Sequence, residues 1–373
     1  MNSESHLTPE VPARRNQARI VIVGAIVLLV LAAAAAILSS ARVISVSGAG
    51  DSFVLEPGRI ALGVLTIKEG ASATLGEGSH WVGPIISRKG TLSVGKKAII
   101  DGPVVLFQDG LRLGEGAIVR GSAVLFSGGL TLERGASVRG NAILFAGPLT
   151  LGPRASLGRH ALLFAGPLSL GSGARVGRSV VLFAGPLTLG PDAALGGDAL
   201  LFAGPAQMGP RSSVAGKLIP FASDVDLARG ATARDGAILF AGDLHLSPEA
   251  RVRGDVIVAE GNATVEGTSS IAGRLFLNPS PHLGRGELSR ASAAEITGGV
   301  VRPEDVESQA ATSLAGWLGL RLLRLIALPS IGIGLLIAVA IYGVWRSRRG
   351  PARPGAGTRH PVVNLQPTPG GAA

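Results

Sequence analysis

The chain has 373 residues and a formal net charge of +10, with 55 Gly, 23 Pro and no Cys. The lack of cysteine excludes a disulfide framework and a thiolate metal site. Residues 43–311 hold 24 basic and 23 acidic side chains, so most of the net charge lies in the flanks. Because a nucleic-acid-binding domain carries its basic stripe on the folded part, this layout argues against nucleic acid as a partner.

The first predicted element is a transmembrane helix over 20–41, which follows a cytoplasmic tail over 1–19. Its apolar run, IVIVGAIVLLVLAAAAAIL, is close to the roughly 20 residues that span a bilayer. Positive charge stays on the cytoplasmic side, and three arginines precede the run: Arg14, Arg15 and Arg19. A cleaved signal peptide is the alternative. It is less favoured because the apolar core is longer than the usual run of about 7–15 residues.

A repeat with a period of nineteen residues follows and covers 54–291. Eight of the ten phenylalanines stand in one column of it: Phe107, Phe126, Phe145, Phe164, Phe183, Phe202, Phe221 and Phe240. Each row holds three short apolar clusters, as in 142–145, 149–151 and 155–157, and Gly, Gly-Pro or Arg-Gly separates them. Short alternating clusters between turn residues indicate strands.

The repeat therefore predicts an all-β, single-domain parallel β-helix of about 11 coils, flanked by two transmembrane α-helices. A strict period of nineteen fits poorly with the six-residue faces of left-handed β-helices, which favours right-handed coiling.

Two adjacent columns of the repeat are apolar, and they face opposite sides of the strand. We expect the Phe column to form a structural ladder inside the coil. The neighbouring column then faces outward as a candidate association stripe: Leu106, Leu125, Leu144, Leu163, Leu182, Leu201 and Leu239. The reverse assignment still leaves one apolar stripe facing outward, and large exposed apolar patches usually mark association surfaces. A helix near 303–318 packed over the stripe is the alternative.

The C-terminal part is predicted as a linker and amphipathic helix over 292–324, a transmembrane helix over 325–345, and a disordered basic Pro/Gly-rich tail over 346–373. Arginines follow the second span at once: Arg346, Arg348 and Arg349. Both termini are therefore expected to be cytoplasmic, and the β-helix to be extracytoplasmic.

The titratable residues show no catalytic or metal-binding pattern. The six His share no metal-ligand spacing, and the carboxylates are scattered rather than paired as a glycosidase requires. We predict no catalytic residue, no metal, no cofactor and no enzyme activity.

Strings such as AILFAGPLTLGPRASLG, ASVRGNAILF and ARVRGDVIVAEGNATVEG resemble the bactofilins, polymer-forming cytoskeletal proteins of bacteria. The resemblance covers roughly 64–291. It implies a right-handed β-helix without enzyme activity or bound nucleotide, and polymerisation by end-to-end stacking of coils. The longer array and the two anchors depart from that family.

The sequence thus favours a non-enzymatic, bactofilin-like scaffold in the bacterial cytoplasmic membrane that self-associates as a homo-oligomer or polymer, or organises the cell envelope. A module that binds envelope polysaccharide is the first alternative. A β-helix enzyme acting on carbohydrate is the second.

Overall fold

The computed structural model describes residues 43–46, 50–278 and 286–302, and all of these fall within one compact unit. They form a parallel β-solenoid in which each coil adds one strand to each of three sheets. The predicted all-β coil is confirmed. The sheets contain 14, 13 and 13 strands, so the solenoid has more coils than predicted.

The strands of the first sheet carry the phenylalanine column at their C-terminal ends. They are Val43–Val46 (β1), Val64–Ile67 (β4), Ile85–Ser87 (β7), Val104–Leu106 (β10), Ala123–Leu125 (β13), Ala142–Leu144 (β16), Ala161–Leu163 (β19), Val180–Leu182 (β22), Ala199–Ala203 (β25), Leu218–Ala222 (β28), Ala237–Leu239 (β31), Val256–Val258 (β34), Leu275–Leu277 (β37) and Val300–Val301 (β40).

The strands of the second sheet alternate apolar and polar residues. They are Ser52–Leu55 (β2), Ser72–Leu75 (β5), Thr91–Val94 (β8), Leu111–Leu113 (β11), Leu130–Leu132 (β14), Leu149–Leu151 (β17), Leu168–Leu170 (β20), Leu187–Leu189 (β23), Ala206–Met208 (β26), Val225–Leu227 (β29), Leu244–Leu246 (β32), Ala263–Val265 (β35) and Leu288–Arg290 (β38).

The strands of the third sheet are mostly two residues long. They are Ile60–Leu62 (β3), His80–Val82 (β6), Ile99–Asp101 (β9), Ile118–Val119 (β12), Ser137–Val138 (β15), Ser156–Leu157 (β18), Arg175–Val176 (β21), Ala194–Leu195 (β24), Ser213–Val214 (β27), Thr232–Ala233 (β30), Arg251–Val252 (β33), Ser270–Ile271 (β36) and Glu295–Ile296 (β39).

The period of nineteen residues is a constant register in the middle coils. Val104 pairs with Ala123, and each following coil of that sheet repeats the offset through Ala237 and Val256. Because the register is constant, one side-chain type stacks on itself from coil to coil. The inward columns of all three sheets form one continuous core of fully buried Leu, Val, Ile and Ala.

The coils at both ends depart from this period. The offset is 21 residues from Val43 to Val64 and 20 from Ile60 to His80. Near the C-terminus Ala263 pairs with Leu288, an offset of 25. The predicted period of nineteen residues therefore does not hold over the whole of 54–291.

The solenoid also extends beyond the predicted boundaries of 54 and 291. Its first strand begins at Val43 and its last ends at Val301, so part of the predicted 292–324 linker belongs to the final coil. Within the described coils no helix is long and apolar enough to cross a membrane. The predicted helices over 20–41 and 325–345 lie outside the described residues, as do both tails and most of the linker.

Candidate functional site: an outward aromatic ladder

Eight phenylalanine rings form one continuous stack along the first sheet, from Phe107 to Phe240. Adjacent ring centroids are 4.6–5.0 Å apart and the ring planes differ by 1–3°. This spacing equals the distance between neighbouring strands, because each ring stands one coil above the next. The predicted structural ladder is therefore present.

The predicted orientation of the two columns was wrong, because the rings lie outside and the leucines inside. All seven leucines of the proposed association stripe have 0% exposed surface and belong to the core: Leu106, Leu125, Leu144, Leu163, Leu182, Leu201 and Leu239. The Phe rings are half-buried. Side chains alternate along a strand, so the ring and the residue two positions before it share the outward face. The apolar surface is thus the Phe column, and the leucine stripe is not available to a partner.

The outward column two residues before each Phe is apolar as well. Val124, Ile143 and Leu200 are examples, each only 2% exposed although they face away from the core. The outer face of the first sheet therefore carries a small apolar layer of its own.

The corner that follows the ladder extends this apolar face in four consecutive coils. Each of these coils places an exposed Ala directly after the Phe and an exposed Pro two residues later: Ala146 and Pro148, Ala165 and Pro167, Ala184 and Pro186, Ala203 and Pro205. This contribution was not expected from the sequence, because Gly-Pro is typical of turns. We name the Phe column, its outward apolar neighbours and these Ala and Pro residues the ladder face.

Backbone hydrogen bonding explains where the proline column stops. Proline has no N–H, so the corner leaves no donor unpaired in those four coils. In later coils the same column holds Asp224, Asp243 and Asn262. There the Asp243 N–H donates to Asp224 Oδ1 over 2.9 Å, and the Asn262 N–H donates to Asp243 Oδ1 over 2.8 Å. The polar residues therefore replace proline by accepting the N–H of the next coil, and they end the apolar part of the corner.

The N-terminal end of the ladder face is basic. Lys68 and Arg88 occupy the same column as Phe107 in the two preceding coils. The strand register and the hydrogen bond that the Phe107 N–H donates to the Ser87 carbonyl show this alignment. Both line a shallow depression of about 330 Å³ together with Glu69, Lys89 and Gln108. The side-chain hydrogen bond from Lys89, followed by its charge, lowers the pKa of Glu69, and the same contact raises the pKa of Lys89.

Two histidine clusters lie on the other outer faces. On the third sheet His80 Nε2 is 2.6 Å from Asp101 Oδ2, which also accepts from Arg120 Nη1 over 2.9 Å. On the second sheet His245 lies 3.5 Å from Asp226 and 3.2 Å from Glu266. Neither cluster adjoins the ladder face. In the coils that the structure describes, no group of three or more His, Asp or Glu could hold a metal ion.

Trp81 does not contribute to any surface. It is fully buried and meets Phe53 edge to face, with 5.8 Å between ring centroids. Trp81 is thus part of the core.

No protein-family profile, curated protein or solved structure matches this chain.

Proposed function

We propose that this chain is a non-enzymatic scaffold of the bacterial cytoplasmic membrane. Its β-solenoid lies outside the membrane and associates side by side with other copies through the ladder face. One observation carries the proposal: the eight-ring stack faces outward, and every ring keeps part of its surface exposed. The apolar runs on both sides of the repeat support anchoring, and right-handed coiling stays a prediction.

The way the rings are stacked favours an apolar partner over a sugar. Stacking on a sugar uses the flat face of an aromatic ring. Here each inner ring, such as Phe164 or Phe183, has both faces against neighbouring rings and presents only its edge. Ring edges beside alanine and proline form a smooth hydrocarbon surface, which another such surface can cover.

A second copy fits this surface because both copies repeat at the same spacing. Two ladder faces related by a two-fold axis would bring matching columns together, as in an isologous interface. The face is about 34 Å long and about 10 Å wide, or about 350 Å² per partner. Stable soluble complexes bury about 800 Å² per partner. Pairing through this face is therefore weak in solution, and confinement of anchored copies in one membrane would strengthen it.

The resemblance to bactofilins agrees with this proposal in its solenoid fold. It differs in the contact, because that family implies end-to-end stacking, whereas the ladder face supports lateral contact. The family assignment and the absence of enzyme activity stay predictions.

The test replaces three rings in the middle of the face, Phe145, Phe164 and Phe183, by lysine. A matched control carries three lysines in the same coils on the outer face of the second sheet, at Thr150, Ser169 and Thr188. Oligomer size of the full chain in mild detergent is measured by analytical ultracentrifugation, with circular dichroism as the check on folding.

We expect the ladder variant to dissociate while the control keeps the wild-type size. The proposal would be overturned by a ladder variant that folds and keeps the wild-type oligomer, or by a wild-type chain that is monomeric at every concentration. The second outcome would point to a segment of the same chain covering the face.

A further inference from the structure

The first two coils expose apolar side chains in a way that the rest of the described solenoid does not. Every large apolar residue found to be exposed in the described coils lies between 43 and 82, with Ile60 at 70% and Leu62 at 65%: Val43, Val54, Ile60, Leu62 and Val82. These residues lie outside the ladder face, which begins at Val105 and Phe107. We name these five residues the tip collar.

The tip collar surrounds the solenoid on all three sides. Val43 points outward from the first sheet, Val54 from the second, and Ile60, Leu62 and Val82 from the third, since each alternates with an inward neighbour that packs on the core. A copy packed side by side would cover one of these faces. A copy stacked end-on would cover strand edges and leave outward side chains exposed. A lipid layer can surround the tip on every side.

We infer that the tip collar rests in the head-group layer of a lipid bilayer. The inference rests on the proposed membrane anchoring, since the apolar run 20–38 ends five residues before Val43. Five residues of fully extended chain span at most about 18 Å. The first coil is therefore tethered close to the membrane surface, and its apolar ring is the part of the solenoid nearest to lipid.

The polar groups of the first coil limit how deeply the tip collar can enter the bilayer. Among the described residues the first strand of each sheet pairs with a neighbour on one side only, and unpaired backbone groups do not tolerate hydrocarbon. Glu56 and Arg59 form an ion pair 3.5 Å apart whose side chains are 72% and 73% exposed. These groups need water or lipid head groups as partners, whereas the collar gains from contact with the upper acyl chains. Since three of the five collar residues belong to the third sheet, that face makes most of the contact.

The absence of cysteine allows a direct test on the full chain. Ile60→Cys places one environment-sensitive fluorophore in the collar. Ser213→Cys places it in the same outward column of the third sheet, eight coils and about 38 Å further along. Each protein is reconstituted into vesicles of equal parts phosphatidylethanolamine and phosphatidylglycerol that carry a nitroxide on the head group.

We expect several-fold stronger nitroxide quenching and a blue-shifted emission at position 60, with aqueous emission at position 213. Equal iodide quenching at both positions in vesicles would overturn the inference. So would protection of position 60 that depends on the protein-to-lipid ratio, because a second copy would then cover the collar.

Flotation of the same samples distinguishes a failure of lipid contact by the collar from a failure of the proposed membrane anchoring. Protein that floats with the vesicles but keeps an aqueous probe at position 60 refutes lipid contact by the collar and leaves anchoring intact. Protein that does not float after reconstitution refutes the anchoring on which the inference rests.

Discussion

The middle coils and the first two coils use the same three sheets to expose different surfaces. From Val104 to Val256 the offset between coils stays at nineteen, and one ring stacks on the next through eight coils. In the first two coils the offset is 21 and then 20, the ladder column holds Lys68, and the exposed apolar residues spread over all three faces.

The difference shows that a continuous surface depends on the same residue type recurring at one register position in every coil. The longer corners of the first coils keep the column, because Lys68 still aligns with Arg88 across an offset of 20, but the side chains in it are no longer aromatic. Middle coils therefore concentrate their exposed apolar area on one side, where it suits a lateral partner. The first coils distribute their exposed apolar area over all three faces of the tip, where it suits contact with a surrounding lipid layer.

The largest loss of stability is expected at a corner of the middle coils where the backbones of adjacent coils lie in close contact. Gly166 has φ +135°, and a Cβ atom there would lie 2.2 Å from the carbonyl oxygen of Gly147 in the preceding coil. Alanine at this position must push two coils apart as well as adopt a strained backbone. We expect Gly166→Ala to cost at least about 3 kcal/mol.

Gly173 supplies the matched control one turn later. Its φ is +66°, and a Cβ atom there would meet only the flexible Arg154 side chain at 3.8 Å. Arg154, Asp192 and Arg211 already occupy this column with φ of 56–59°. Gly173→Ala should therefore cost only about 1 kcal/mol. Thermal melting of the full chain and hydrogen exchange of the adjacent strands check both values. Equal losses in the two variants would show that close approach does not fix the coil spacing.

The period, the parallel coil and the three short strands of each row could be predicted from sequence, because turn residues and alternation recur in fixed columns. The inward side could not be read from Ala142-Ile143-Leu144-Phe145, since a run of four apolar residues has no polar member to mark the outer face. The deciding signal stood in a weaker row, where Arg88 replaces the ring. A column that accepts arginine faces water.

The end coils escaped prediction for a different physical reason. A long insertion at a corner leaves the strands on either side free to pair, so the coil from Ala263 to Leu288 keeps its place in the stack with six additional residues. Matching rows at a fixed period cannot find such a coil. The collar also went unnoticed, because the offsets of 21 and 20 in these coils do not match the period of nineteen from which inward and outward columns were assigned.

A substitution with a smaller expected effect should extend the ring stack by one coil toward the N-terminal tip. Arg88 stands one coil before Phe107 in the ladder column. Arg88→Phe adds one ring to the stack and removes a cation from the basic cluster around Lys68 and Lys89. We expect a gain of about 1 kcal/mol, the typical contribution of an aromatic pair beyond its buried area.

Arg88→Leu is the control for that gain, since it adds apolar surface and removes the same charge without a ring. Hydrogen exchange in Ile85–Ser87 and the melting temperature of the full chain give the comparison. If leucine stabilises the coil as much as phenylalanine does, stacking contributes nothing beyond burial and the ladder is only a by-product of the repeat.

The smallest expected effect lies at the polar corner that borders the ladder face. His160 stands in a column with Asn141 and Ser179, and its backbone N–H donates to Asn141 Oδ1 over 3.2 Å. Burial lowers the pKa of His160 below its usual value of 6.5, and the nearby Arg178 and Arg159 charges lower it further. The folded chain therefore favours the neutral ring more than the unfolded chain does.

The sign of the pH dependence follows from this shift. Above about pH 7 His160 is neutral in both the folded and the unfolded chain, so its titration does not lower the free energy of unfolding. As the pH falls through the unfolded value of 6.5, the unfolded chain takes up a proton before the folded chain does, so stability is lost. His160→Asn keeps a polar side chain of the kind found one coil earlier and removes the titration. Melting temperatures between about pH 7 and pH 5 should fall less steeply for this variant than for the wild type. Parallel slopes would show that His160 is as free to protonate in the coil as in the unfolded chain, and that this corner is open to water.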